Sequence, residues 1–396
     1  MTALRRPLEG VIVVSVEQAV AAPFATRQLA DLGARVIKVE RRDSGDFARA
    51  YDQRVDGLSS AFLWLNRGKE SVALDFKDDD GRAVLERLLQ RCDVFVHNLS
   101  PTAARRAGLD PKSVQHRHPD VIACAISGYG SSGPLADAKA YDLLVQGETG
   151  MMSLTGDGDQ MAKVGISIAD ISAGSYAYSS ILAALLHRDR SGETLAVEVS
   201  LFDSLTEWLA YPLYYTMHGG SAPTRRGTSH ATIAPYGAFT TRDGQQILVA
   251  VQNEREWTRF CDIVLGDPDM ATDPRYSSNH SRVENRTGLD AHVADRFFGL
   301  DRGTALELLR QADVACSRLN DISDLADHEQ LVKRDHWTDT ASPVGTVRTL
   351  LPPWLPDADR VQLGSVPELG EHTDDVLGWL GLDDIDIDRL RRNQTI

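Results

Sequence analysis

Strand-like and helix-like patterns alternate along the first 200 residues of the chain. Residues 10–16 form a continuous apolar run rich in β-branched side chains, which is typical of a strand buried on both faces of a parallel sheet. Comparable runs follow, separated by helical patterns, within residues 35–40, 66–77, 93–98, 121–127 and 194–200. This alternation predicts an α/β fold with a doubly wound parallel sheet.

The pattern changes after the sixth predicted strand. Residues 201–217 are aromatic and helical in character, and residues 235–251 predict two strands joined by a turn at Asp243-Gly244. Further helices are predicted near 254, at 282–297 and at 303–312, and a Pro-rich stretch of irregular connections precedes a last helix at 373–380. We therefore expect four segments: a large domain over 1–200, a linker over 201–226, a smaller α+β domain over 227–330, and residues 331–396 as a linker that returns to the large domain.

The loops after the first two predicted strands are candidates for ligand binding. Residues 17–22 and 40–46 follow the carboxyl ends of these strands, where open α/β sheets bind their ligands. The first turn lacks the GxGxxG pattern, so a dinucleotide site is not expected. Four basic side chains follow or neighbour strand ends and together suit the phosphates of a nucleotide-like ligand: Arg41, Arg42, Arg106 and Lys139.

One carboxylate has an unusual setting. Asp170 lies among small and apolar residues between Gly165 and Gly174, and no Lys or Arg occurs from Gly165 to Leu186. A helix that runs to about Arg188 is predicted to follow it. The carboxylate either caps this helix or acts as a nucleophile in a closely packed site, and the residues alone leave both interpretations open.

Composition excludes several classes of function. The 396 residues include 42 Lys and Arg against 57 Asp and Glu, a formal charge of −15, which argues against nucleic acid or an anionic membrane as the main partner. No apolar stretch is long enough to span a bilayer and the N-terminus has no apolar run after its charges, so we expect a cytoplasmic protein. The 4 cysteines are far apart without a CxxC pair, so we expect buried thiols and no metal site.

A series of short motifs runs in one order through nearly the whole chain. They are Leu8-Glu-Gly10 with Ala22-Pro23, Leu32-Gly-Ala-Arg-Val-Ile-Lys-Val-Glu40, Ser44-Gly-Asp46, Asn66-Arg-Gly-Lys69, Leu74-Asp75, Asn98, Gly128-Tyr-Gly130, Gly133-Pro134, Tyr141-Asp142, the Asp170 stretch and Glu368-Leu-Gly-Glu-His-Thr373. Together they make the chain similar to the family III CoA-transferases, the CaiB/BaiF family that includes formyl-CoA:oxalate transferase. The resemblance implies a Rossmann-like large domain built from both ends of the chain, a small middle domain, and two chains interlocked as a ring-like homodimer.

The resemblance also implies a chemistry for Asp170. In the family scheme the matching Asp attacks the thioester of an acyl-CoA, which forms a mixed anhydride and then an aspartyl-CoA thioester. CoA esters are then substrates, and no permanently bound cofactor is expected. The family's CoA contacts fall on Gln18, Ala19, Arg41, Leu74, Asn98, Arg106 and Lys139, with Tyr141 and Asp142 near the pantetheine end.

The acid substrates follow less directly from the resemblance. Val20 stands where the oxalate-using enzyme has a Gln, and the glycine run of that enzyme's small domain is missing, so oxalate is not expected. Arg226 and His230 are either contacts for the acceptor carboxylate or structural loop residues. We expect a small dicarboxylic acid as acceptor and succinyl-CoA as donor.

Two other functions compete with CoA transfer. An α-methylacyl-CoA racemase shares the fold, but such an enzyme is expected to carry a His-Asp pair where this chain has Tyr141-Asp142, and Tyr is a poor general base near neutral pH. A non-enzymatic acyl-CoA binder is the third possibility, which an acyl-transfer assay distinguishes.

Overall fold

The computed structural model describes residues 6–353 and 363–396 and has a six-stranded parallel sheet at its centre. The strand order is β3-β2-β1-β4-β5-β8, with every neighbouring pair parallel. The strands are β1 Ile12–Val16, β2 Arg35–Glu40, β3 Lys69–Ala73, β4 Val94–His97, β5 Ile122–Ser127 and β8 Val197–Ser200. The predicted α/β class with a parallel sheet is confirmed, and the carboxyl ends of its strands meet at one edge.

Helices connect these strands, mostly where the sequence predicts them. They are α1 Ala21–Asp31, α2 Ser60–Asn66, α3 Asp79–Leu89, α4 Pro101–Ala107, α5 Pro111–Arg117, α6 Asp142–Glu148, α7 Ile168–Ser191 and α8 Leu201–Trp208. Helices α2 and α5, of 7 residues each, were not predicted. Helix α1 begins at Ala21 and has Pro23 as its third residue, which the first turn tolerates because its N–H groups have no intrahelical partner.

A helix near the end of the chain joins the core of the sheet. Val14 of β1 and Phe95 of β4 are fully buried, and they belong to the same apolar cluster as Val376 and Leu377 of α16, Thr373–Trp379. Further helix–strand contacts link α16 to β3. Burying apolar side chains of this size contributes about 1.5–3 kcal/mol each, so the end of the chain stabilises the sheet at its start.

The region before α16 corrects the sequence prediction. Instead of irregular connections alone, residues 337–350 form an antiparallel hairpin of β12, Trp337–Ser342, and β13, Gly345–Leu350. Its strands are polar, so they lack the apolar alternation from which a strand is recognised, and Pro343 occupies the turn. Helix α17, Asp384–Arg392, was also not predicted.

Residue contacts divide the described chain into two compact units. The first takes its residues from 1–150, 164–210 and 330–396, and the second from 151–163 and 211–329. The second unit contains the pair of short strands β6 Gly156–Asp157 and β7 Gln160–Met161, and an antiparallel sheet of β9 Tyr236–Thr240, β10 Gln246–Ala250 and β11 Ala315–Arg318. The predicted hairpin is confirmed: β9 and β10 pair, and Gly244 in their turn has a φ of 73°.

The remaining helices lie in or border the second unit. They are α9 Ala210–Gly219, α10 Glu254–Arg259, α11 Asn279–Glu284, α12 Arg286–Phe298, α13 Arg302–Gln311, α14 Ile322–Ala326 and α15 Glu329–Val332. The single helix predicted over 282–297 is two helices, because the backbone of Asn285 leaves the helical region.

The limits of the predicted domains stay a prediction, which limited proteolysis would test; of the last segment, residues 354–362 lie outside the described part of the chain. Within residues 6–353 and 363–396, the structure contains no helix that is both long enough and apolar enough to cross a membrane.

Candidate active site

Asp170 lies in the first turn of α7. It is the third residue of the helix, and the residue at the N-cap position is Ser167, whose side chain makes no capping hydrogen bond. Among the residues that the structure describes, none makes a hydrogen bond or salt bridge to the Asp170 carboxylate. The capping interpretation is therefore wrong, and the carboxylate is left available for other contacts.

The surroundings of Asp170 favour its protonated form. Burial, together with the nearby negative charge of Asp142, raises the pKa of Asp170 to about 7. Asp142 is fixed beside the same turn, since its carboxylate accepts hydrogen bonds from the Ala169 N–H at 2.8 Å and from the Gln146 side chain at 2.8 Å. Gln146 in turn accepts a hydrogen bond from the Val164 N–H at 2.9 Å. A carboxylate with such a shifted pKa is typical of a functional site.

Tyr51 is a neighbour of Asp170 that the sequence analysis missed. Burial and the charges of Asp46 and Asp170, together with Tyr141, raise the pKa of Tyr51 to about 12. The charge of Asp170 thus acts on the Tyr51 hydroxyl, and the residue as a whole is 50% exposed. The motif Ser44-Gly-Asp46, five residues upstream, was the available sequence signal, and it does not by itself single out a tyrosine.

Gly174 brings the helix of Asp170 close to α1. A Cβ at this position would lie 2.6 Å from the Ala21 carbonyl oxygen and 3.0 Å from the Phe24 ring, so only glycine fits without a shift. The chain is thus closely packed on this side of Asp170, whereas a Cβ at Gly165 would meet nothing within 4 Å.

A cavity of about 300 Å³ opens at the carboxyl ends of β1–β4. Four of the predicted CoA contacts line it: Gln18, Arg41, Leu74 and Asn98. Arg42 and Lys77 add two further cations to its lining. Guanidinium and ammonium groups at the rim of such a cavity suit phosphate groups.

The other predicted CoA contacts lie outside this lining. Ala19 follows Gln18, Arg106 is exposed on α4, and Lys139 is exposed in the loop between β5 and α6. Tyr141 is 65% exposed and Asp142 is the first residue of α6. Because β4 and β5 are parallel to β1, the connections that carry these residues leave from the same edge of the sheet as the cavity.

The residues expected near the acceptor acid fall in different units. Val20 belongs to the first unit and is buried at the start of α1. Arg226 and His230 belong to the second unit, where Arg226 is exposed and His230 accepts a hydrogen bond from the Thr232 N–H at 3.2 Å. His230 thus has a local structural contact, which leaves its role toward an acid substrate a prediction.

Charged side chains are buried and paired beneath the first loop. Lys69 binds Glu17 at 2.7 Å and Lys38 binds Asp46 at 2.7 Å, with all four side chains fully or almost fully buried. The Asn66 side chain accepts from both ammonium groups, at 3.0 and 3.1 Å. Removing one partner from such a set leaves an uncompensated buried charge, so these residues form a scaffold for the cavity wall.

Comparisons with known proteins identify the family of the chain. Residues 8–373 match the model of the family described as CoA-transferase family III. A succinate–glutarate CoA-transferase of Agrobacterium fabrum is 35% identical over 94% of this chain and 96% of that protein, and a mouse succinyl-CoA:glutarate CoA-transferase is 34% identical over 83% and 75%. A CaiB/BaiF family protein of Brucella suis superposes with a TM-score of 0.82 at 32% identity, over 95% of this chain and 100% of that one. The chain therefore belongs to CoA-transferase family III and is an enzyme of the transferase class.

Proposed function

We propose that this enzyme moves CoA from succinyl-CoA to a small dicarboxylic acid, with Asp170 as the nucleophile. The observation that carries the proposal is the Asp170 carboxylate itself, which has no hydrogen-bond or ion-pair partner among the described residues and has a pKa raised to about 7. A carboxylate that forms no salt bridge remains free to form a bond to substrate. The relatives named succinate–glutarate CoA-transferase and succinyl-CoA:glutarate CoA-transferase support the choice of substrates.

The proposed reaction proceeds by exchange at carbonyl carbons. An Asp170 oxygen attacks the thioester carbon and the C–S bond breaks. CoA departs as the thiolate, and a mixed anhydride of succinate and Asp170 forms on the enzyme. The thiolate then attacks the Asp170 carbonyl, which releases succinate and leaves an aspartyl-CoA thioester. The acceptor carboxylate attacks that carbonyl, which releases CoA thiolate and forms a second anhydride, between the acceptor and Asp170. The thiolate then attacks the acceptor carbonyl of this anhydride, which gives the acceptor's CoA ester and frees Asp170.

The residues around Asp170 have proposed supporting roles. The cations Arg41 and Arg42 are suited to hold CoA phosphates in the cavity, and we propose that Arg106 and Lys139 close over the same ligand. Anhydrides and thioesters hydrolyse, so the site must exclude water when it is occupied. We propose that Tyr51, whose hydroxyl is influenced by the charge of Asp170, contributes to that exclusion.

Two features of the proposal concern the assembly and the acceptor. By the family resemblance we propose an interlocked homodimer, for which light scattering after size-exclusion chromatography should give twice the mass of one chain. We also propose that Val20, Arg226 and His230 contribute to recognition of the acceptor acid. Replacing Arg226 with Ala should then raise KM for the acid and leave KM for succinyl-CoA nearly unchanged.

The decisive experiment is mass spectrometry of the protein after incubation with succinyl-CoA alone. We expect a covalent adduct on the peptide that contains Asp170, removable by hydroxylamine, and reduction of the same residue by borohydride. Asp170→Ala should show neither. The proposal would be overturned if the wild-type protein formed no adduct but exchanged the α-hydrogen of a branched acyl-CoA with deuterated water, because that result identifies a racemase. Tight acyl-CoA binding with neither reaction would identify a binder.

A further inference from the structure

The segment Gln18–Ala19 adopts a backbone conformation that its own side chains do not favour. Ala19 has a φ of 65°, in the left-handed region that glycine enters readily and a residue with a Cβ does not. Such a conformation persists only where surrounding groups hold it, and it occurs most often at functional sites. The question is which groups hold Ala19.

Asp46 supplies the bond at Ala19. One carboxylate oxygen of Asp46 accepts hydrogen bonds from the N–H groups of Ala19 and Ala48, both at 2.9 Å. The other oxygen accepts from the buried Lys38 ammonium at 2.7 Å, which fixes the direction of the carboxylate. Asp46 is 2% exposed, so water does not compete for these bonds.

Asn98 holds the preceding residue from the other side. Its side-chain oxygen accepts from the Gln18 N–H at 3.1 Å, and its side-chain nitrogen donates to the Gln18 carbonyl at 2.7 Å. The amide of Asn98 thus uses both of its polar atoms on the main chain of Gln18. Its proximity to the cavity is better explained by shaping the loop than by a direct bond to a CoA ester.

The held segment lies between the two parts of the proposed site. Gln18 lines the cavity and its side-chain oxygen accepts from Arg41 at 3.1 Å. Two residues after Ala19, the Ala21 carbonyl lies against Gly174, one helical turn beyond Asp170. A change in the path of residues 18–21 would therefore move the cavity wall relative to the carboxylate.

We propose that Asp46 is a positioning residue for the transfer reaction, and that Asn98 assists it. Asp46 holds Ala19 in the left-handed conformation, so that the 18–19 segment keeps the thioester of a CoA ester in line with the Asp170 carboxylate. This inference rests on the proposed function of Asp170. It assigns to Asp46 an effect on catalysis in addition to its part in the buried ion pairs.

A double-mutant cycle separates positioning from simple stabilisation. Asp46→Ala should raise KM for succinyl-CoA and lower kcat, each by about tenfold, because the segment loses its anchor. Ala19→Gly alone completes the cycle and should lower kcat/KM by less than Asp46→Ala does, since glycine accepts the same φ without steric cost and only the methyl group of a predicted CoA contact is lost. The double variant should recover at least about threefold of the lost kcat/KM, because glycine no longer needs Asp46 to reach the left-handed region.

A purely structural role predicts the opposite result. If Asp46 mattered only as the counter-ion of Lys38, adding a flexible glycine at position 19 would restore nothing, and the two losses would add or grow. Additive or worsened kinetics in a folded double variant would overturn the proposal. The folded state of each variant is checked by its thermal transition.

A second measurement does not depend on Asp46→Ala folding or on turnover. Asn98→Ala leaves the Lys38–Asp46 pair intact, and we expect amide hydrogen exchange in the peptide that covers residues 17–22 to become about tenfold faster, with weaker binding of CoA measured by calorimetry. Unchanged exchange and unchanged affinity would overturn the proposed anchoring. Because this test involves no reaction at Asp170, the proposed nucleophile is judged separately by its adduct.

Discussion

Two carboxylates of the first unit, Glu40 and Asp170, have opposite surroundings. The Glu40 carboxylate receives two bonds from the Arg49 guanidinium at 2.8 and 2.9 Å and one from the Ser71 hydroxyl at 2.7 Å. Although burial alone would raise its pKa, these bonds and the charge of Lys38 lower the pKa of Glu40 to about 2. Asp170 has no such partner among the described residues, and burial with Asp142 raises its pKa to about 7.

The difference distinguishes a carboxylate that stabilises the fold from one that can react with a substrate. A buried carboxylate whose oxygens are occupied by cations and hydroxyls is fixed in its charged form and has no free lone pair to offer a substrate. When a carboxylate that is kept beside a like charge binds a proton, a cation or an electrophilic carbon, the repulsion is relieved and its free energy falls. The same contrast extends to Glu17 and Asp46, which are paired with Lys69 and Lys38.

The largest expected effect is the loss of transfer activity when Asp170 is replaced. Asp170→Ala should lower kcat/KM for CoA transfer by at least about a thousandfold, because the nucleophile is lost, as for covalent catalysts in general. Binding of CoA, measured by calorimetry, should change less than about threefold, since the cavity is lined by residues that follow β1–β4 and not by α7. Asp189→Ala, on an exposed position of the same helix, is the control and should keep full activity. Near-normal turnover in Asp170→Ala would remove Asp170 from the mechanism.

The next largest effect is a loss of stability when one of the buried ion pairs is broken. Lys69→Met leaves Glu17 buried without the ammonium that it binds at 2.7 Å, and the loss of one partner in a buried pair should lower the free energy of unfolding by about 3–5 kcal/mol. Urea denaturation followed by circular dichroism measures this change. Lys112→Met, at an exposed position of α5, should change stability by less than about 0.5 kcal/mol. Equal stability of the two variants would mean that the buried network contributes nothing.

A smaller effect is expected in the pH dependence of kcat/KM. The nucleophile must be ionised, so kcat/KM should rise with pH and level off above the pKa of Asp170, about 7. Asp142→Asn keeps an oxygen that can accept from the Ala169 N–H but removes the like charge, so the midpoint should move to lower pH by about one unit. A midpoint that stays in place would show that burial alone sets this pKa. A midpoint that rises would contradict the electrostatic account.

Sequence reasoning predicted those parts of the fold that repeat a periodic pattern. The six strands of the parallel sheet, the turn at Gly244 and the long helix that contains Asp170 all follow from local periodicity or turn chemistry. The polar hairpin of β12 and β13 did not, because strands without apolar alternation resemble loops in sequence.

The candidate site shows a similar division. Gln18 and Arg41 lie in loops that were predicted to bind a ligand because open α/β sheets bind at the carboxyl ends of their strands, whereas Asn98 was predicted from the family resemblance; all three line one cavity. Tyr51 and the partners of Asp46 could not be predicted, since their contacts depend on tertiary packing between residues far apart in the chain. The missing partner of Asp170 is likewise a property of the folded structure.

The smallest effect concerns stability and has a definite sign. The folded-state pKa of Asp170, about 7, lies above the ordinary value of about 3.9 for Asp, so the folded state binds this proton more tightly than the unfolded state does. Below pH 4 the group is protonated in both states and does not affect the free energy of unfolding. As pH rises toward 7, its ionisation in the unfolded state increasingly lowers the stability of the fold. Asp170→Asn removes the ionisation and nearly preserves the shape of the side chain. The Tm of the variant relative to wild type should therefore rise from pH 4 to pH 8, by about 1–3 °C, an amount reduced by the partial exposure of the group.

Asp189→Asn gives the baseline for this measurement, because an exposed carboxylate on the same helix should show a difference in Tm that hardly changes with pH. Differential scanning calorimetry at matched ionic strength would resolve the two profiles. A flat profile for Asp170→Asn would mean that the folded protein accommodates the ionised carboxylate without penalty. The contrast with Glu40 would then lie only in the number of hydrogen bonds, and the free energy available for nucleophilic attack would have to come from the bound substrate rather than from the free enzyme.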